Sequence, residues 1–213
     1  MPQYTTDALI LRTYKLGESD RLVVFLTRDR GKKRGVAKNA RQSRRRFGGA
    51  LEPMTCVRVG YVERERRELV TVSYAETLRS PLSALDGHAL GHVGYFAELI
   101  DEWAQDSDPN ETLFRLGAAT VEAMAAGVPI EPLARYFEFW LLRLQGVYGV
   151  DPRLSEEARA FLGAAREISP FALGEVPVTE RALRELEAVH RAQIAIYLEK
   201  DLKSPRVLKE MRR

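Results

Sequence analysis

ALILRTYKLGESDRLVVFLTRDRGKKRGVAK, residues 8–38, holds two runs rich in branched apolar residues, ALILRTY and RLVVFLT, separated by the turn-forming KLGESD. The second run is continuously apolar from Leu22 to Leu26, which is the pattern of a strand buried on both faces. Farther along, VRVGYV alternates, so that Val57, Val59 and Tyr61 share one face and Arg58 and Gly60 the other, and LVTVSY repeats the pattern with Val70, Val72 and Tyr74. RDRGKK and ERERRE supply further turns, and RGVAK supplies another short strand. About five strands within the first 75 residues fit a small β-barrel, with the OB-fold as the natural candidate.

Beyond Leu78 the apolar period changes from two to about 3.6, with the Ser-Pro of RSPLSALDGH marking the break. GYFAELIDEWAQ, ETLFRLGAATVEAMAAG and PLARYFEFWLLRLQGVY each carry an apolar stripe. In the last, Leu133, Tyr136, Phe137, Trp140, Leu141 and Leu144 share a face. Asn110 is placed to cap a helix start, and Gly127 and Gly146 to end helices. A short helix is expected in SEEARAFLGAARE, and a long one from about Thr179 to Leu198 with Leu183, Leu186, Val189 and Ile196 in the core. LKSPRVLKEMRR reads as a short basic helix. The fold class is therefore α+β in two domains, a barrel over residues 1–80 and an all-α domain over 81–213.

Charge divides along the same line. Residues 1–75 hold 17 Lys and Arg against 8 Asp and Glu, a net of +9, while the remainder holds 16 against 22, a net of −6. The excess concentrates in GKKRGVAKNARQSRRRFG, residues 31–48, which has eight Lys or Arg and no acid. Lys32, Lys33 and Arg34 precede the RGVAK strand and Arg41, Arg44, Arg45 and Arg46 come after it, with Lys38 between, so a hairpin would gather both clusters on one flank. Such a patch attracts phosphate with salt-sensitive affinity and little sequence preference. A solvated loop, a polybasic membrane site and an acidic-protein site are the competing readings. Tyr61 and Tyr74 fall on core faces by parity, leaving Phe47 as the exposed aromatic on which a base would stack.

Other chemistry is sparse. Cys56 is the only cysteine, which excludes an intrachain disulfide and multi-cysteine metal sites and fits a reducing, cytoplasmic setting. His88 and His92 lie four apart but lack a third ligand, and GKKRG lacks the Lys-Ser/Thr ending of a P-loop. Glu18 and Asp20 form a close acidic pair that reads as a turn rather than as nuclease metal ligands. No catalytic residue, metal site or cofactor is expected. No apolar stretch nears the ~20 residues of a membrane span, and the N-terminus lacks a signal-peptide pattern.

The run LRTYKLGESDRLVVFLTRDRGKKRGVAKNARQSRRRFGGALEP, residues 11–53, resembles the N-terminal signature of the bacterial RecO family. Its Gly-Glu-Ser-Asp turn, Gly-Lys basic hairpin and Arg-Phe-Gly-x-x-Leu-x-Pro segment occur in the same order. The likeness continues more loosely through the helices to LKSPRVL. It implies a non-enzymatic DNA-repair mediator with an N-terminal OB-fold, associated with the nucleoid. Such a protein binds single- and double-stranded DNA, anneals complementary strands, displaces single-strand-binding protein, and cooperates with RecR in loading RecA. The DNA-binding residues it implies are Lys32, Lys33, Arg34, Lys38, Arg41, Arg44 and Arg46; Arg45 and Phe47 join them on the charge and stacking arguments above. Asn39 stands where glycine is common, and it tolerates left-handed geometry. The four-cysteine zinc module of many relatives has no counterpart in residues 148–178. An RNA-binding accessory protein of translation is the alternative on the same barrel. The acidic helical half is expected to carry protein contacts, with Arg135, Arg143, Lys209, Arg212 and Arg213 near an apolar groove for a tail ending in acidic and aromatic residues.

Overall fold

The computed structural model describes residues 1–65, 67–82, 87–200, 202–205 and 208, the side chains at 87 and 88 excepted. Five strands, β1 (Gln3–Leu16), β2 (Asp20–Thr27), β3 (Gly31–Ala37), β4 (Cys56–Val62) and β5 (Val70–Arg79), precede the helices. They hydrogen-bond in the order β1-β2-β3-β5-β4, and β4 returns to β1 to close a barrel. All pairings are antiparallel except β3 with β5, where Gly35, Val36 and Ala37 face Val70, Thr71 and Val72. The helices are α1 (Gly87–Trp103), α2 (Glu111–Ala125), α3 (Ile130–Leu144), α4 (Glu156–Glu167) and α5 (Glu180–Leu198), with a 3-10 turn at Pro170–Glu175. Among the described residues no helix is long and apolar enough to cross a membrane.

The apolar runs of β1 and β2 are both buried on two faces, as the continuous run predicts for β2, and the two faces have different neighbours. Ala8, Ile10, Val23 and Phe25 point into the barrel with Val57, Val59 and Tyr61. Leu9, Leu11, Val24 and Leu26 point outward into one apolar cluster with Phe96, Ile100, Leu113 and Phe137 of the helices. The strand-to-helix switch near residue 80 is thus a change of local structure without a break in the core. Gly31 shows how close the two parts lie: at φ +69° it opens β3, and a Cβ there would stand 2.4 Å from backbone atoms of Asp108.

Helix ends obey local chemistry. The Asn110 side chain accepts the Leu113 N–H at 2.9 Å, and Gly127 and Gly146 adopt φ of +77° and +70° just past α2 and α3. On α5 the core stripe is Ala182, Leu186, His190 and Ile194, an i, i+4 ladder. Ile196, expected inside, lies two residues off that ladder and is 77% exposed. Leu144 likewise ends α3 at the surface. Most of the terminal segment, with Lys209, Arg212 and Arg213, lies outside the described residues.

Because Leu26 belongs to both the barrel and the shared cluster, Leu26→Ala is expected to lower stability by about 2–5 kcal/mol. Denaturant unfolding monitored by near-ultraviolet and far-ultraviolet signals should remain one coincident transition. Separate barrel and helix transitions would contradict a common core.

Candidate nucleic-acid interface

The two basic clusters do not meet. Lys32, Lys33 and Arg34 lie within β3 rather than before it, and β3 is flanked by β2 and β5. An extended strand holds the residues at its two ends apart by its own length. At about 3.3 Å per residue, Lys33 and Lys38 are ~17 Å apart along the chain. The expected single flank is therefore two sites at opposite ends of β3.

At the first end the cations are largely engaged within the chain. Lys32, with a side chain 10% exposed, donates from Nζ to the Asp101 carbonyl at 2.6 Å and to Asp101 Oδ1 at 3.2 Å. Burial of an ammonium requires such partners, so Lys32 is a structural group, not a free phosphate contact. Lys33 Nζ donates to Glu63 Oε1 at 2.7 Å and to Ser107 Oγ at 3.2 Å. Arg34 remains open, its guanidinium 3.8 Å from Asp106 with a side chain 56% exposed.

The second end is the loop of residues 38–46. Asn39 adopts φ 53°, the left-handed geometry expected of it, and donates its backbone N–H to Asp20 Oδ1 at 2.8 Å. Arg41 donates to the carbonyl of Glu18 at 2.8 Å, and Arg46 to the carbonyl of Lys38 at 2.7 Å and to Ser43 Oγ at 3.0 Å. The acidic pair thus builds the turn under the loop. Lys38, Arg41, Arg44 and Arg45 are exposed, and among the described residues no carboxylate pairs with any of them or with Arg46. Unneutralised charge held on a tethered loop makes this end of the barrel surface positive.

Two aromatic expectations reverse. Phe47 is 2% exposed and packs inside the barrel with Ala50, Leu51 and Val59, so it is unavailable for stacking. The chain turns inward after Arg46, whose guanidinium sits 5.0 Å from the Phe47 ring centre. Tyr74 moves the other way. The register shifts between Gly60 and Tyr61, skipping Ser73 on β5, so Val72 and Ala75 face inward and Tyr74 faces out. Its ring lies on Gly60, where a Cβ would come within 2.2 Å of Cε1, and its hydroxyl is 3.2 Å from Thr5 Oγ1.

Sequence reading passed over Arg64 and Arg67 on the β4–β5 loop, because ERERRE contains as many acids as arginines. With Lys33, Arg34, Glu63, Glu68 and Asp106 they line a cleft of about 490 Å³ at the first end of β3. Spatial rather than sequence neighbours would have been needed to find it.

In the helices, Arg135 is buried and pairs with Glu138 at 3.0 Å, so it does not belong to a surface groove. Burial raises the Glu138 pKa, but Arg135, His190 Nδ1 at 3.0 Å and the Tyr95 hydroxyl at 2.6 Å outweigh it, and the carboxyl stays below its ordinary value. Arg143 does reach a surface pocket of about 540 Å³ between α3 and α4, lined by Phe139, Tyr148, Arg159, Leu162 and Arg166 without an acid among the lining residues. The side chain of His88 lies outside the described residues. His92 is buried, its Nε2 4.0 Å from Glu131, and among the described residues no three His, Cys, Asp or Glu gather as a metal site.

Comparison with known proteins gives two family matches, Recombination protein O N terminal over residues 1–81 and Recombination protein O C terminal over residues 84–159. A DNA repair protein RecO of Koribacter versatilis is 48% identical over 145 residues, 66% of this chain and 58% of that protein. Those of Anaeromyxobacter sp. (strain K) and Geobacter sulfurreducens are 40% and 38% identical over 162 and 161 residues, 75% and 74% of this chain and 62% of each relative. The matched chain therefore spans about three fifths of these relatives' length.

Since Phe47 fills the barrel, Phe47→Ala should cost stability, about 3–5 kcal/mol, and Phe47→Leu less. Folded Phe47→Leu should retain nucleic-acid affinity within about twofold by fluorescence anisotropy. A loss near the ~1–3 kcal/mol of base stacking with unchanged stability would restore the stacking role.

Proposed function

Because the chain belongs to the RecO family, we propose that it is a DNA-binding mediator of recombinational repair whose barrel, of the OB type, holds phosphates with the loop of residues 38–46. The observation that carries this reading is the group Lys38, Arg41, Arg44 and Arg45, exposed and without carboxylate partners among the described residues. The loop that carries them is tied from beneath by hydrogen bonds between side chains and backbone, so little loop order has to be gained on binding. Arg46 acts by supporting the loop, and Lys32 by joining barrel to helices.

The chemistry supported is neutralisation without a catalytic step. A loop that screens the charge of single- or double-stranded DNA lowers the repulsion between complementary strands and favours annealing. Asp20 accepts the Asn39 N–H and so serves the turn. Loading of RecA with RecR, and action on DNA covered by single-strand-binding protein, belong to the same proposal. The α3–α4 pocket supports the last of these. Three arginines around Phe139, Tyr148 and Leu162 suit a peptide that ends in acidic and aromatic residues.

Replacing Arg44 and Arg45 together by Glu should flatten the log–log salt dependence of single-strand binding by about 1.4, from about 0.7 per lost contact. Annealing of complementary DNA should slow in the same variant, and matched RNA should compete less well than DNA. An unchanged slope removes the assignment, and preferential RNA binding transfers it to the translation-accessory reading.

For the pocket, Arg143→Glu with Arg166→Glu should weaken binding of a labelled acidic-aromatic peptide at least about tenfold, a loss of about 1.4 kcal/mol. DNA affinity of that variant should change far less, since the pocket and the 38–46 loop lie on different parts of the fold.

A further inference from the structure

The cleft at the first end of β3 has a charge pattern that internal pairing does not exhaust. Lys33 is held by Glu63 and Ser107, whereas Arg34 makes only the 3.8 Å approach to Asp106. Arg64 and Arg67 are exposed and have no ion pair among the described residues. Three guanidinium groups therefore border a space of about 490 Å³, which Asp106 and Ser107 of the α1–α2 connection wall on one side.

The surface between this cleft and the 38–46 loop is the outer face of β3 and β5. Val36 and Thr71 pair across these strands and alternate with the inward Gly35, Ala37, Val70 and Val72. Ser73 continues the line at the bulge. None of these positions carries a carboxylate, and the side chains are short. The loop abuts this face directly, because Ala75 of β5 donates its N–H to the Arg46 carbonyl at 2.9 Å. The neighbouring route is closed: Val24 and Leu26, on the outer face of β2, are covered by the helices. Small barrels of this type commonly bind oligonucleotides on the face of strands 2 and 3. Here the helices cover that part of β2, and Val36, Thr71 and Ser73 of β3 and β5 are left half-buried instead.

We infer that a single nucleic-acid strand held by the 38–46 loop continues over Val36, Thr71 and Ser73 and ends in the cleft, where Arg34, Arg64 and Arg67 contact its phosphates. The inference rests on the DNA-binding reading and adds the second anchor and the path. Glu63, Glu68 and Asp106 set its strength: Glu63 occupies Lys33, Asp106 leans on Arg34 and Glu68 stands in the lining, so the cleft holds phosphate more weakly than the loop. A strand long enough to span β3 engages both ends, and the second contact is then intramolecular.

The test uses the full chain with Arg64→Gln and Arg67→Gln together, and separately with Arg44→Glu and Arg45→Glu. Binding of oligothymidylates of about 2 and about 16 nucleotides, the shorter unable to cover the ~17 Å of β3 and the longer at the upper end of site sizes for such barrels, is measured against salt. Circular dichroism confirms that each variant is folded. On the longer strand the Arg64/Arg67 variant should flatten the salt slope by about 1.4, and on the shorter strand it should leave affinity within about twofold. An unchanged slope on the longer strand, with the Arg44/Arg45 variant still impaired, overturns the path and leaves the DNA-binding reading standing. Equal losses on both lengths make the cleft a separate site and also overturn the path. If neither variant alters the salt dependence, the DNA-binding reading itself fails.

Discussion

The burial of both faces of β1 and β2 is the constraint on which the rest depends. Inward Ala8, Ile10, Val23 and Phe25 fill the barrel, and outward Leu9, Leu11, Val24 and Leu26 join the helical core. A fully buried Leu or Val contributes roughly 1.5–3 kcal/mol relative to exposure, as an upper estimate against an extended chain. Four such residues at one seam outweigh what a few surface ion pairs supply. The seam in turn decides which barrel surfaces remain. It hides Val24 and Leu26 of β2, draws the start of β3 against Asp101 and Asp108, and leaves the 38–46 loop exposed and Val36, Thr71 and Ser73 half-buried.

That arrangement also explains why a basic segment is not uniformly a basic site. A lysine drawn into the seam must either find acceptors or lose its charge. Lys32 finds Asp101 twice, through carbonyl and carboxylate. Lys33, one residue on and pointing to the other side of the strand, finds Glu63. Past the end of the strand no seam exists, and the loop cations face water. Counting charges along the chain overstates the number free to meet phosphate, because pairing is decided by what the fold brings near.

Much of the architecture was legible because it rests on local pattern. Alternation in VRVGYV placed Val57, Val59 and Tyr61 inward, the unbroken LVVFL run marked a strand covered on both sides, and Asn39 and Asn110 filled the turn and cap roles that their side chains allow. What was not legible arises from pairing over distance. The bulge at Ser73 that turns Tyr74 outward depends on the register of β4 against β5, which neither strand states alone. Phe47 comes after three arginines and looks exposed by company, yet the end of the barrel needed an apolar group and took it. His190, which the expected core stripe of α5 leaves out, lies in the core because Glu138, 52 residues earlier, supplies its partner.

The division of charge between the two halves takes on a different meaning in this light. Net values of +9 and −6 first suggest separate partners for the two halves, but part of the contrast is consumed where the halves meet. Arg12 pairs with Asp101 at 2.5 Å, Arg28 with Glu111 at 3.0 Å, and Lys32 with Asp101 at 3.2 Å. The exposed Arg28 pair is open to screening by salt, while the Lys32 pair is shielded from it by burial. The acidic half therefore holds the barrel in a fixed orientation by apolar contact and selects that orientation by charge. Its carboxylates also stand at the wall of the cleft, where Asp106 faces Arg34. A polyanion reaching that end of β3 competes with acids of the same chain, whereas at the 38–46 loop no described carboxylate pairs with the exposed cations. The proposed polarity of the site, strong at the loop and weak at the cleft, thus originates partly in where the helices place Asp106 and partly in Glu63 of the barrel itself.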